Sequence, residues 1–169
     1  KFNKPIRESN LSCSYIHAVL NPLFTSPDCD RHLIWLNTQT VDECDKRPDF
    51  VVNHLEDSCF IGPAVVGDVK GEDRKEDTHS CLVDLIRIGI LSGASINSNK
   101  YNGVIGVHVV GVQITFYIIS LMSCGFYVMM EICSIALPKD LTELRSYVAN
   151  MDELLPVIDY YSKCTSDSN

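Results

Sequence analysis

The sequence predicts an α/β domain in which a mixed sheet is flanked by helices. The 169 residues are 46% hydrophobic and 21% charged, a balance typical of a globular domain with a substantial core. Segments with helical spacing of apolar residues alternate with short runs rich in Val, Ile and Phe. Their order is α-β-β-β-α-β-β-β-α-α, and we expect one domain over residues 1–169.

The first part of the chain contains one helix and three strands. Apolar residues recur every fourth position over residues 8–24 and predict the first helix. Short apolar runs predict strands over 32–38, 48–54 and 64–72, with residues 55–63 as a connection. The second strand starts with proline, which strands tolerate at their first position.

A second helix is predicted from the charged run at 73–77 to about residue 92, with Gly93 as its stop. The helix has an apolar stripe at positions i, i+3, i+4 and i+8, which predicts the face that packs on the sheet. This stripe consists of Leu82, Leu85, Ile86 and Ile90.

Residues 101–130 contain no Asp, Glu, Lys or Arg, and a run of this length is a candidate membrane span. The run is instead rich in residues that favour strands and is interrupted by glycines. We therefore expect three buried strands over 103–111, 112–122 and 126–137 and no membrane partner. Two helices follow, the first capped by Asp140 with Glu143 three positions later.

The composition also limits the partners and the compartment. The net charge is -8, which argues against a large basic surface for nucleic acid. Eleven of the 14 basic residues lie in the first hundred positions, so any polyanion-binding face must be built there. None of the eight cysteines has C-x2-C or C-x4-C spacing, which argues against a zinc finger. We expect Cys13, Cys81, Cys124 and Cys133 to be free core residues of a reduced, intracellular protein, cytoplasmic or nuclear.

A polar constellation lies within the predicted strands. Asp68 and Lys70 are two positions apart and therefore share one face of a strand. If the strands over 48–54 and 64–72 are neighbours, Asp49 lies close to Asp68. Two adjacent carboxylates repel each other unless a cation bridges them, and Mg²⁺ or Mn²⁺ suits such oxygen ligands. The lysine can orient or help deprotonate an attacking water, or stabilise charge on a phosphate.

The residues Pro48-Asp49 followed by Asp68-Val69-Lys70 resemble the signature of the PD-(D/E)xK nuclease superfamily. The resemblance covers residues 8–111 and implies a restriction-endonuclease-like core: a helix, three antiparallel strands, a helix and a further strand. Residues 112–164 would add C-terminal strands and helices to this core. The segment from 84–89 to 126–132 is also similar to uncharacterised fungal proteins bearing such domains.

The resemblance implies a metal-dependent nuclease acting on DNA rather than RNA. Asp49, Asp68 and Lys70 would be catalytic, and Glu8 of the first helix would join the two aspartates around Mg²⁺ or Mn²⁺. Substrate phosphates would approach from the side of Lys70 that also carries Arg47, Arg74 and Lys75. A further helix residue facing the site has two candidates here, His79 and Arg87.

Structural interpretations stand beside these functional ones. Asp49 can cap a turn after Pro48, and Asp68 with Lys70 can form a solvated ion pair. Glu8 can be a favourable charge at a helix N-terminus, and His108 a hydrogen-bonded core histidine. The acidic surface also permits an inactive nuclease-fold domain that serves as a binding or scaffolding module in a larger protein.

Overall fold

A computed structural model describes residues 5–26, 28, 30–36 and 47–165. The described residues form a mixed six-stranded sheet flanked by helices, which confirms the predicted α/β class and element order. The strands are β1 (Arg31–Trp35), β2 (Phe50–Glu56), β3 (Cys59–Lys70), β4 (Val104–Val110), β5 (Gln113–Leu121) and β6 (Tyr127–Ala136). The helices are α1 (Glu8–Leu11), α2 (His17–Phe24), α3 (Thr78–Asn99), α4 (Leu141–Ala149) and α5 (Leu155–Thr165). A π-helical segment, Ser12–Ile16, joins α1 to α2, and 3-10 turns lie at Glu72–Arg74 and Met151–Leu154.

The strands follow one another across the sheet in the order β1-β2-β3-β4-β5-β6. Neighbouring strands are antiparallel except for β3 and β4, which are parallel because α3 carries the chain back along the sheet. The prediction that residues 55–63 form a connection between the strands is wrong. β2 and β3 continue into it and meet at a tight turn in which Asp57 and Ser58 both have positive φ, the geometry that suits a two-residue hairpin.

The two faces of the sheet pack against different helices. On one face a large core lies between the sheet and α1, α2 and α5, and it includes Leu11, Phe24, Phe50, Val69, Phe116 and Val157. On the other face α3 covers β3 and β4 and forms a smaller α3 core with Val66, Ile88, Ile96, Val104 and Ile119.

The face that α3 turns to the sheet differs from the predicted one. Leu82, Ile86 and Ile90 are more than half exposed, whereas Asp84 and Ile88 are buried. Ile88 packs into the space that Gly106 leaves on β4, because a Cβ at Gly106 would lie 2.8 Å from the Cγ2 of Ile88. A glycine and a charged residue therefore determine the orientation of α3 more than its apolar stripe does.

The C-terminus of α3 also lies beyond the predicted stop. The helix continues through Gly93, over which the ring of Tyr127 packs, and ends when Lys100 adopts left-handed backbone angles. Among the described helices, α3 alone is long and apolar enough to cross a membrane by length and composition. Two smaller corrections concern cysteines: Cys13 and Cys124, which lie in apolar segments, are exposed rather than buried.

Candidate active site

The register between β2 and β3 brings the two predicted aspartates together. Phe50 pairs with Gly67, so one step further along the same ladder Asp49 comes opposite Asp68. Gly67 is required at this point, because a Cβ there would lie 2.0 Å from the ring of Phe50. Directly opposite residues of antiparallel strands project from the same face. The two carboxylates therefore lie on the α3 face.

Each aspartate uses one carboxylate oxygen for a fixed contact. The Oδ2 of Asp49 accepts a hydrogen bond of 2.6 Å from the backbone N–H of Val69. The Oδ1 of Asp68 lies 3.3 Å from the guanidinium of Arg87, which donates to it. The Oδ2 of Asp68 is buried and has no hydrogen-bond partner among the described residues. Both carboxylates are thus oriented, and Asp68 retains an unsatisfied buried oxygen.

Asp84 of α3 is the partner of the predicted catalytic lysine. The Nζ of Lys70 lies 2.9 Å from the Oδ2 of Asp84, and both side chains are largely shielded from solvent. Burial alone would lower the pKa of Lys70, but Asp84, together with Glu8 and Asp49, outweighs it and raises this pKa. Lys70 is therefore held as an ammonium ion.

Arg87 lies one turn further along α3 and joins the two halves of the cluster. Its Nη1 is 3.1 Å from Asp84 and 3.3 Å from Asp68. The result is a continuous chain of charges from Lys70 through Asp84 and Arg87 to Asp68. Arg87 was one of the two candidate helix residues, and the structure places it at the site.

Burial raises the pKa of both strand aspartates. Burial raises the pKa of Asp68 to about 7, with a further contribution from the neighbouring charge of Asp49 and a partial offset from Arg87. The pKa of Asp49 is also raised, chiefly by burial, against the opposing hydrogen bond from Val69. Two buried carboxylates side by side favour either a shared proton or a bound cation.

Glu8 lies within charge-interaction range of the same cluster. Two hydrogen bonds to Glu72 hold Ile6, two residues before Glu8. The N–H of Ile6 donates to the Glu72 carboxylate, and the carbonyl of Ile6 accepts from the N–H of Glu72. The segment passes close to Gly71, where a Cβ would meet the backbone nitrogen of Glu8 at 2.8 Å. Burial and then Asp49 raise the pKa of Glu8, while Lys70 and Arg74 lower it. Glu8 thus lies within the electrostatic reach of both the aspartates and the lysine.

The three predicted phosphate contacts are exposed and lie near the ends of the site strands. Arg47 precedes β2, whereas Arg74 and Lys75 follow β3 at the 3-10 turn. Arg74 is close enough to Glu8 to lower its pKa. Lys75 forms only a loose ion pair of 3.9 Å with Glu76. The second helix candidate, His79, is an exposed residue at the start of α3.

His108 extends the polar site across the sheet. It pairs with Asp68 in the parallel register of β3 and β4, and it pairs with Thr115 on β5. The side chain is 9% exposed, and its Nε2 has no hydrogen-bond partner among the described residues. Burial lowers the pKa of His108, so the imidazole is neutral at pH 7. The expectation of a hydrogen-bonded core histidine is therefore met in burial but not in hydrogen bonding.

The donor set suits a hard divalent cation held mainly by two aspartates. Within the described ranges there is no group of three or more His, Cys, Asp or Glu side chains arranged to hold a metal ion. Mg²⁺ commonly uses only one or two protein carboxylates and completes its coordination with waters and substrate oxygens. The unsatisfied Oδ2 of Asp68 and the neighbouring carboxylate of Asp49 fit this requirement.

Sequence reasoning missed Asp84 and left Arg87 undecided. Both lie on the helix that crosses over between β3 and β4, and their contacts with β3 cannot be read from strand periodicity. A signal was nevertheless present, because Asp84 and Arg87 are the only Asp, Glu, Lys or Arg residues in the 22 residues of α3. A single acid and base three positions apart in such a helix indicate a specific partner.

Comparison with known proteins identifies no relative. No protein-family profile, curated protein or solved structure matches the chain.

Proposed function

We propose that the protein is a metal-dependent phosphodiesterase that cleaves nucleic acid, with DNA favoured over RNA. The observation that carries the proposal is the pairing of Asp49 with Asp68 on adjacent strands, beside a lysine that is held as an ammonium ion. The alternative of a solvated ion pair between Asp68 and Lys70 is disfavoured because Asp68 is 1% exposed. Two buried carboxylates of raised pKa are costly to stability and are expected where function needs them.

The arrangement of elements supports the same proposal. The helical segment before β1, the antiparallel strands β1 to β3, the helix α3 and the further strand β4 follow the order that the resemblance implies. The two acids and the lysine come from β2 and β3 of this unit. We infer that the fold is of the restriction-endonuclease-like type.

In the proposed reaction, Asp49 and Asp68 would hold Mg²⁺ or Mn²⁺, and Glu8 would add a third carboxylate near them. The ion, when bound, supplies charge stabilisation for the phosphate and lowers the pKa of a water. Lys70 orients the attacking water and stabilises negative charge on the phosphate as an ammonium ion, because Asp84 keeps it protonated. Arg87 fixes one oxygen of Asp68, so that the other oxygen is presented to the ion. Arg47, Arg74 and Lys75 contact flanking phosphates.

The test is cleavage of single- and double-stranded DNA and of RNA with added Mn²⁺ or Mg²⁺. We expect Mn²⁺-dependent cleavage by the native chain and a loss of about a thousandfold in Asp68→Ala and Lys70→Met, because each removes charge stabilisation at the reacting phosphate. Asp152→Ala, which removes an exposed carboxylate far from the site along the chain, should cleave normally. Equal cleavage by all four proteins would exclude this site.

A second function is favoured by a different observation. Arg87 already neutralises one oxygen of Asp68, and the surface is acidic, with a net charge of -8. These features also suit an inactive nuclease-fold domain that serves as a binding or scaffolding module. Calorimetry separates the two, because an inactive module should show no Mn²⁺ binding that depends on Asp49 and Asp68.

A further inference from the structure

We infer that a second site, a pocket for a neutral nucleobase, lies next to the candidate active site. The pocket has a volume of about 680 Å³ and lies between the ends of β5 and β6 and the helix α4. Nothing in the proposed cleavage mechanism uses it. The inference names a part of the substrate and in that respect rests on the proposed function.

The pocket lies at the same end of the strands as Lys70. Lys70 is the last residue of β3 and pairs with Val110, which in turn pairs with Gln113 at the start of β5. Gln113 lines the pocket. Since neighbouring strands are roughly 4.8 Å apart, two strand steps place it about 10 Å from Lys70. The floor of the pocket belongs to the large core, so a strand bound at Lys70 would reach it by passing round the ends of β4 and β5.

The lining of the pocket combines an apolar floor with neutral polar groups. Ile135, Leu137 and Leu154 are buried beneath it. The side chains of Ser146 and Asn150 make no hydrogen bond within the described residues, so their donors and acceptors remain available to a ligand. Amide side chains can form paired hydrogen bonds with the edge of a base.

An aromatic residue at the same wall favours a planar ligand. Tyr147 of α4 lines the pocket and is partly buried, and burial raises the pKa of its phenol. Its hydroxyl makes no hydrogen bond within the described part of the chain. A tyrosine ring beside open space is a stacking surface for a nucleobase.

The charges around the pocket disfavour a phosphate as its ligand. Lys139 lines the rim, but its ammonium is paired with Glu72. Glu143 and Glu153 also line the pocket and add negative charge. A neutral base is therefore preferred over an anionic group. The ion pair of Lys139 with Glu72 also joins the pocket wall to the turn that follows Lys70.

The experiment titrates adenosine and, separately, ribose 5-phosphate into the metal-free full chain and follows backbone amide shifts by NMR. We expect saturable shifts at the pocket-lining residues with adenosine and none there with ribose 5-phosphate. Equal responses to both compounds, or no saturable response to adenosine, would overturn the inference.

Two substitutions on the same helix provide a matched pair. Ser146 and Ala149 are both small, exposed residues of α4, but only Ser146 lines the pocket. Ser146→Trp should weaken adenosine binding by about tenfold or more by filling the space, whereas Ala149→Trp should stay within about twofold of the native chain. Asn150→Leu, which removes the amide without filling the pocket, should weaken binding by about fivefold. Native affinity in both Ser146→Trp and Asn150→Leu would overturn the pocket assignment.

The outcome is separable from that of the proposed function. Adenosine binding requires no metal and no cleavage, so a chain that binds adenosine but never cuts would retain the pocket and lose the nuclease. A chain that cuts with Mn²⁺ but binds no adenosine would retain the nuclease and lose the pocket.

Discussion

The two faces of β3 contain opposite chemistry at the same degree of burial. Val69 points into the large core and is 1% exposed, and Asp68, next to it on the α3 face, is also 1% exposed. On the first face burial removes apolar surface from water and stabilises the fold. On the second face burial raises the pKa of carboxylates and costs stability. The large core therefore contributes apolar burial alone, whereas the α3 face combines a smaller apolar core with a group of buried charges.

The largest effect should follow from damage to the large core. Phe116 is fully buried on the face opposite to the site and contacts the ring of Phe24. Phe116→Ala should lower the free energy of unfolding by about 3–5 kcal/mol, because it removes apolar burial and leaves a cavity. Urea denaturation followed by circular dichroism measures this. Phe126→Ala, at a position that is 72% exposed, should change stability by less than about 0.5 kcal/mol. Similar losses in the two variants would contradict the assignment of the large core.

On the α3 face, removal of a buried carboxylate should raise the free energy of unfolding rather than lower it. An aspartate of the unfolded chain ionises near pH 3.8, whereas Asp68 ionises at about pH 7 in the folded protein. The folded protein therefore holds an extra proton between these values and loses stability as the pH rises through that window, by at most about 4 kcal/mol.

Asp68→Asn removes this ionisation and should be more stable than the native chain at pH 8, with a smaller advantage at pH 5. Thermal denaturation at both pH values measures the difference. A variant that is less stable than the native chain at pH 8 would show that the Asp68 contact with Arg87 outweighs the cost of burial.

The same ionisation should govern metal binding. A cation at Asp68 has to displace the proton that the carboxylate holds below pH 7. The affinity for Mn²⁺ should therefore fall by about tenfold for each pH unit below 7 and level off above it. Calorimetric titration with Mn²⁺ at pH 5.5, 6.5 and 7.5 measures this, with Asp68→Asn as the control. A flat profile in the native chain would remove Asp68 from the binding site.

The smallest effect concerns the way α3 is held on its face of the sheet. The hydroxyl of Ser95, which is buried, donates a hydrogen bond of 2.6 Å to the carbonyl of Pro63 on β3. Ser95→Ala should cost about 1 kcal/mol, and the exposed Ser98→Ala should cost nothing measurable. Urea denaturation of the two variants in parallel makes the comparison. Equal stability would mean that this hydrogen bond does not contribute to holding α3 on the sheet.

The sequence was most informative where structure is local and periodic. The alternation of side chains along a strand predicted that Asp68 and Lys70 share a face, and the hairpin between β2 and β3 confirms that Asp49 joins them. The strands β4 to β6 were also predicted to within about two residues, because β-branched runs between turns favour strands.

Contacts across the crossover could not be predicted in this way. The face of α3 that packs on the sheet is set by Gly106 of β4 and by the ionic contacts of Asp84, and both partners are distant in sequence. An apolar stripe indicates which face of a helix is hydrophobic, but not which face the sheet accepts. For the same reason, Asp84 emerged as the partner of Lys70 only when α3 was placed on β3.

The position of the two aspartates depends on Gly67, which carries no charge itself. Its missing side chain leaves room for the ring of Phe50, and this fit locks the register that sets Asp49 opposite Asp68. A slip of one residue would move the carboxylate along the strand by about 3.3 Å and turn it to the other face. The contact between Phe50 and Gly67, two uncharged residues, therefore fixes the relative position of Asp49 and Asp68. A larger residue at position 67 would therefore separate the two aspartates while leaving every acid and base in the chain unchanged.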